Sequence, residues 1–118
     1  MALLAEQNLV IKVTVENGKI KCGDVGGNLK VKGKKADNSP LLVTWVSDDS
    51  PQRPFRLKFG PLYEASNWWP FEGSVVPETD PGVSHSFTVK NDDAECKYSV
   101  LIDHGPELDP IIVVEKKR

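Results

Sequence analysis

From Leu9 onward the apolar residues of this chain return at every second position in short runs, and no window of about twelve residues carries a helical stripe. Successive side chains on a strand point to opposite sides, so a chain patterned in this way must build sheets with one face turned inward. Leu9, Ile11, Val13 and Val15 alternate with Val10, Lys12 and Thr14, and Asn17-Gly18 supplies a two-residue turn into a second strand at Lys19 to Cys22. Gly23, Gly26 and Gly27 break the pattern. Strands are then predicted at Leu29 to Lys32, at Pro40 to Val46 and at Pro54 to Phe59, the last ended by Gly60-Pro61. Leu62 to Pro81 holds Pro70, Pro77 and Pro81 and reads as an irregular connection. Val83 to Lys90 sets His85, Phe87 and Val89 on one face, and Glu95 to Ile102 does the same with Cys96, Tyr98, Val100 and Ile102. Ile111 to Val114 is apolar on both sides, as a buried central strand would be. Seven or eight short strands separated by turn signals define an all-β sandwich or barrel.

The length of 118 residues fits one domain, 1–118, with no linker and no internal repeat. Apolar residues at 39% and charged residues at 27%, with both signs interspersed, exclude a disordered or membrane-embedded composition. A formal charge of −2 gives no electrostatic footprint for nucleic acid. Lys30, Lys32 and Lys34 read instead as a solvated strand edge, and Lys116 to Arg118 as a tail. No run reaches the ~20 apolar residues of a membrane span, and Met1 to Glu6 is too short for a signal segment, so a cytoplasmic setting is expected, or a periplasmic or secreted one if a leader has been removed. Cys22 and Cys96 lack a CxxC or a Cys/His cluster. Two buried free thiols, behaving as small hydrophobes, are favoured over one bridge.

The C-terminal third resembles the cupredoxins, the plastocyanin-like and azurin-like proteins. That family ends in a pattern similar to Gly-x-Tyr-x-Phe-x-Cys-x-x-His-x-x-x-x-Met followed by an apolar strand. Laid over it without a gap, this sequence places Cys96 and Tyr98 at the two aromatic positions, Val100 at the copper Cys, Asp103 at the copper His and Leu108 at the axial Met. Upstream, Pro54-Phe55-Arg56-Leu57-Lys58-Phe59 resembles the family's Pro-His-x-Val-x-Phe strand, with Phe55 where the remaining His would stand, after an aromatic strand at Val43 to Val46. Val83 to Lys90 looks like the strand before the copper loop. The resemblance covers roughly residues 41–60 and 83–116 and implies a cupredoxin-like Greek-key β-sandwich. A blue-copper centre needs a thiolate, two imidazoles and a weak axial donor, and Val, Phe and Leu offer no lone pairs. The expectation is a metal-free site with Phe55, Val100 and Leu108 packed as hydrocarbon, no cofactor and no electron transfer.

Other chemistry is sparse. His85, Cys96, Asp103 and His104 are the residues from which a different metal or redox site could be assembled, set against a partly buried His85 and an exposed His104. Asp103-His104 has no Ser or Cys on a nucleophile elbow to orient, so no enzyme activity is expected. The pairs Asp48/Asp49 and Asp92/Asp93 fit turn chemistry better than calcium, and Glu107 and Asp109 could form an acidic rim. Trp68-Trp69-Pro70-Phe71, with Tyr63, is the candidate binding surface: one tryptophan faces water and stacks on a sugar or a protein partner, or both close the open end of the sandwich. The expected function is therefore a non-catalytic binding or interaction module with an unidentified protein partner, with a carbohydrate-binding module as the alternative and a non-family metal or redox protein behind it. Monomer or weak homo-oligomer is the expected state.

Overall fold

The computed structural model describes residues 4–23, 27–61, 68–102, 107–108 and 110–116. Among them there is no helix, and none therefore long and apolar enough to cross a membrane. The described residues form ten strands: β1 (Leu4–Ala5), β2 (Leu9–Glu16), β3 (Lys19–Cys22), β4 (Leu29–Lys32), β5 (Leu42–Ser47), β6 (Arg56–Pro61), β7 (Ser84–Thr88), β8 (Ala94–Leu101), β9 (Glu107–Leu108) and β10 (Ile111–Glu115). They form two mixed sheets. One runs β1-β4-β10-β8-β6, with β9 also on β8, and the other runs β3-β2-β5-β7.

Local rules explain the second sheet's entry. Asn17 and Gly18 both have positive φ, at 52° and 74°, the backbone of a primed two-residue turn whose twist matches its strands, and Glu16 pairs with Lys19 across it. Leucine, isoleucine and valine at alternate positions of β2 then face inward, while Lys12 and Glu16 face water. β2 lies parallel to β5, and β5 antiparallel to β7.

Between the sheets sits one core. Val13, Val43 and Trp45 from the second sheet meet Leu57, Phe59, Tyr98, Val100 and Ile112 from the first. Trp45 is its centre, edge-on to Phe59, Phe71, Phe87 and Tyr98 at centroid distances of 5.2 to 6.3 Å, the geometry that sets a positive ring edge on a negative face.

The structure departs from the sequence expectation at identifiable places. Gly60 and Pro61 do not end β6 but belong to it, opposite Lys97 and Cys96. Proline is tolerated there because β8 holds one side of β6 only, so a missing N–H costs no central ladder bond. Residues 77–79 cover part of that open side, with Phe59 N–H donating to Pro77 C=O and Thr79 N–H to Leu57 C=O. β10 is central, as expected, yet it alternates: Ile112 and Val114 are buried, whereas Ile111 and Val113 are partly exposed on the outer face, opposite Lys97 and Glu95. Long charged side chains beside them can shade that hydrocarbon. Lys30 and Lys32 do not mark an edge, since β4 lies between β1 and β10, and both pair with Glu115, at 3.4 and 3.5 Å. β1 and β9, two residues each, are too short to leave a periodic signal.

Candidate functional site

β8 carries Val100, and the register of its neighbours brings three of the positions that the resemblance aligns with copper ligands, Phe55, Val100 and Leu108, close to one another. Leu57 of β6 lies opposite Val100 on one side, and Leu108 of β9 lies opposite Val100 on the other. Phe55, two residues before Leu57, is on the same face and a diagonal neighbour of Val100, a relation that places Cα atoms ~7–8 Å apart. Phe55 is 1% exposed and Val100 0%. Asp103 lies outside the described residues, as do His104, Asp109 and Tyr63. For Glu107 and Leu108 the backbone pairing alone is described. Phe55 and Val100 are hydrocarbon without a donor atom, closed into the core, and do not fit a type-1 copper ion.

His85 stands beside this cluster. Its ring packs edge-on to Phe55, with centroids 4.8 Å apart, and Nε2 is 2.8 Å from the Phe55 carbonyl oxygen, to which it donates as the Nε2–H tautomer. Phe55 is itself held by reciprocal backbone bonds with Gly82. The histidine thus ties β7 to the entry of β6 across the gap between sheets. Among the described residues no group of three His, Cys, Asp or Glu side chains is placed to hold a metal ion.

The two cysteines are free and buried. Burial pushes the Cys22 thiol up to about 11, opposed by its contact with the Tyr98 hydroxyl, and pushes Cys96 up to about 12. Both are therefore neutral thiols near pH 7, poor as nucleophiles and as metal ligands. Tyr98 is the hub of a buried polar knot that was not legible from the sequence. Its hydroxyl donates to the Gly27 carbonyl and accepts from Trp45 Nε1–H at 3.2 Å, with Cys22 Sγ at 4.0 Å. Burial is the main cause that raises its pKa. Gly27 has φ +84°, and a Cβ there would come within 2.8 Å of the Tyr98 hydroxyl and 3.1 Å of Cys22 Sγ. Only glycine fits both demands.

Of the aromatic stretch, Trp69 and Phe71 belong to the core. Trp69 packs edge-on to Phe59 and Phe71, both at 5.3 Å, and Phe71 stacks on Phe87 at 4.7 Å. Trp68 is partly buried, edge-on to Trp69 at 6.0 Å, and is the member of the stretch with ring surface left to offer. Of the three described aromatics of the expected surface, Trp69 and Phe71 are buried and Trp68 is partly exposed, with Phe71 bridged to Val89. The acidic pairs do more than make local turns. Asp49 accepts from Val15 N–H at 3.3 Å and pairs with Arg53 at 3.6 Å, and Asp93 accepts from Lys116 N–H at 2.8 Å, so each clamps a distant strand end. A shallow depression of about 450 Å³ on the outer face of β2 and β3 lies between Val10, Lys12, Lys21 and Asp48, with Gly23 in its lining.

No family model, curated protein or solved structure matches this chain significantly.

Proposed function

We propose that this chain is a cupredoxin-like Greek-key sandwich without type-1 copper, serving as a non-catalytic binding or interaction module. The observation that carries the proposal is the hydrocarbon at the ligand-equivalent positions, with Phe55 and Val100 sealed in the core as diagonal neighbours. The segments on which the resemblance rests also pack on one another: Trp45 of β5 on Tyr98 of β8, β6 on one side of β8, and β10 on the other. Cys96 is buried and stands where the resemblance aligns an aromatic residue, not the copper Cys.

Titration with copper(II) and then cobalt(II), followed by visible absorption, tests this. The expected result is no thiolate charge-transfer band, and an intense band in the native protein would overturn the proposal. A carbohydrate-binding role is favoured by one feature, the accessible part of Trp68. Its test is tryptophan fluorescence against a glycan panel, with loss of the response in Trp68→Ala as the positive outcome.

A further inference from the structure

The two sheets end in edges of different character. β3 carries Lys19 and Lys21, both exposed, and charged side chains discourage another strand from pairing. The open side of β6 is partly covered by residues 77–79 and 82. β7 carries no charged side chain and is covered at its Thr88 end alone among the described residues. Its sequence, Ser84-His85-Ser86-Phe87-Thr88, contains no formal charge, no proline and no bulge.

The register fixes which backbone groups are left over. Ser47 N–H donates to Val83 C=O and Val89 N–H to Leu41 C=O, both in step with the ladder that pairs Leu42 with Thr88. In an antiparallel ladder hydrogen-bonded pairs alternate, so residues 83, 85, 87 and 89 bond to β5, and 84, 86 and 88 point away from the sheet. Thr88 C=O already accepts from Glu72 N–H at 2.8 Å. The N–H and C=O groups of Ser84 and Ser86 have no partner among the described residues, and both residues are exposed. These groups form a short window, bounded by Glu72 at one end and by the Phe55–Gly82 pair at the other.

The surroundings select an occupant. Between Trp68 and Ala94 the sequence holds Glu72, Glu78, Asp80, Asp92 and Asp93 against Lys90 as the single Lys or Arg. Arg56 neutralises Glu78 at 2.8 Å, whereas Glu72 and Asp80, exposed near the two ends of the window, have no ion pair among the described residues. Val83, directly before β7, is 37% exposed and offers an apolar contact. We propose that the β7 edge adds an extended peptide strand with small apolar or hydroxyl residues at its centre and Lys or Arg at its flanks, which would make β7 the recognition surface of the interaction module proposed above. Backbone bonds to Ser84 and Ser86 hold the strand, and Glu72 and Asp80 select its charge.

The probe is the synthetic peptide acetyl-Arg-Thr-Val-Thr-Val-Lys-amide, added to the full ¹⁵N-labelled chain, with a Glu-flanked peptide of the same centre as control. Expected are amide shifts confined to residues 82–88 and to the neighbourhoods of Glu72 and Asp80, slowing of hydrogen exchange at Ser84 and Ser86 by at least about tenfold, and about tenfold weaker binding of the acidic peptide at low salt. Ser86→Pro removes an N–H that the fold does not use and should abolish binding. Glu72→Gln combined with Asp80→Asn leaves the backbone untouched and should erase the preference for the basic peptide. Absence of shifts at ~1 mM peptide, shifts centred on Trp68, unchanged binding by a folded Ser86→Pro, or pairing of β7 with a second copy in place of the peptide would each overturn the inference. The copper titration reports separately on the metal-free assignment, so the two can fail independently.

Discussion

The core around Tyr98 and the edge at β7 treat backbone and side-chain polarity in opposite ways. In the core, the Tyr98 hydroxyl joins Trp45 Nε1 and the Gly27 carbonyl, and Gly27 has the backbone freedom and lack of bulk needed to meet them. At the edge, the backbone groups of Ser84 and Ser86 face outward, off the ladder to β5, on exposed residues. A buried polar group left unpaired costs far more than an exposed one, so the core admits one arrangement and the edge admits additions. The comparison teaches where each kind of substitution should be felt.

The largest expected loss is at the ligand-equivalent cluster. Phe55→Ala should destabilise by about 3–5 kcal/mol through lost transfer energy and a residual cavity, read as a shift of the urea midpoint. A midpoint equal to the parent's would mean that Phe55 does not fill the core. Tyr98→Phe keeps the ring and strands Trp45 Nε1–H and the Gly27 carbonyl, for an expected cost of about 1–3 kcal/mol. A neutral result would reduce the polar knot to ring packing.

A pH experiment sharpens the same contrast. Burial holds the Cys96 thiol at about 12 in the folded state against 9.0 ordinarily, so the folded protein keeps that proton longer than the unfolded chain does. Its contribution is complete below about pH 9 and falls by about 1.4 kcal/mol per pH unit as pH rises toward 12. Unfolding free energies measured from about pH 8 to 11 should decline less steeply in Cys96→Ala than in the parent, and parallel slopes would show the thiol to be solvated. The smallest effect belongs to the edge. Ser86→Lys should change stability by no more than about 0.5 kcal/mol, because its side chain is exposed and its N–H lies off the ladder. A large loss there would mean that β7 is an interior strand in solution.

Alternation in β2 and β8, the Asn17-Gly18 turn and the inward set Cys96, Tyr98 and Val100 were legible because each is a local consequence of side-chain period and turn sterics. The near-continuous apolar run Ile111–Val114 misled about exposure, since a run of β-branched residues announces a central strand without saying how its outer face is shaded. The aromatic stretch left open which tryptophan turns inward. Periodicity alone does not say which of two adjacent tryptophans goes in, and in the fold Trp69 packs on Phe59 and Phe71 in the core while Trp68 stays partly exposed at its rim.

By itself the sequence determined that this chain builds sheets, which residues of β2, β7 and β8 face inward, and that hydrocarbon stands at three of the four positions, Phe55, Val100 and Leu108, where the resemblance would place copper ligands, because these follow from a two-residue repeat and from side-chain chemistry. Tertiary structure alone decided which strands are neighbours, and with that which edges are open. Pairings such as Leu9 with Val43 or Leu29 with Ile112 join residues far apart in the chain, and no local periodicity encodes them. The same holds for Tyr98 meeting Gly27 and for Ser84 and Ser86 turning their backbone outward: each depends on what the rest of the fold places beside it.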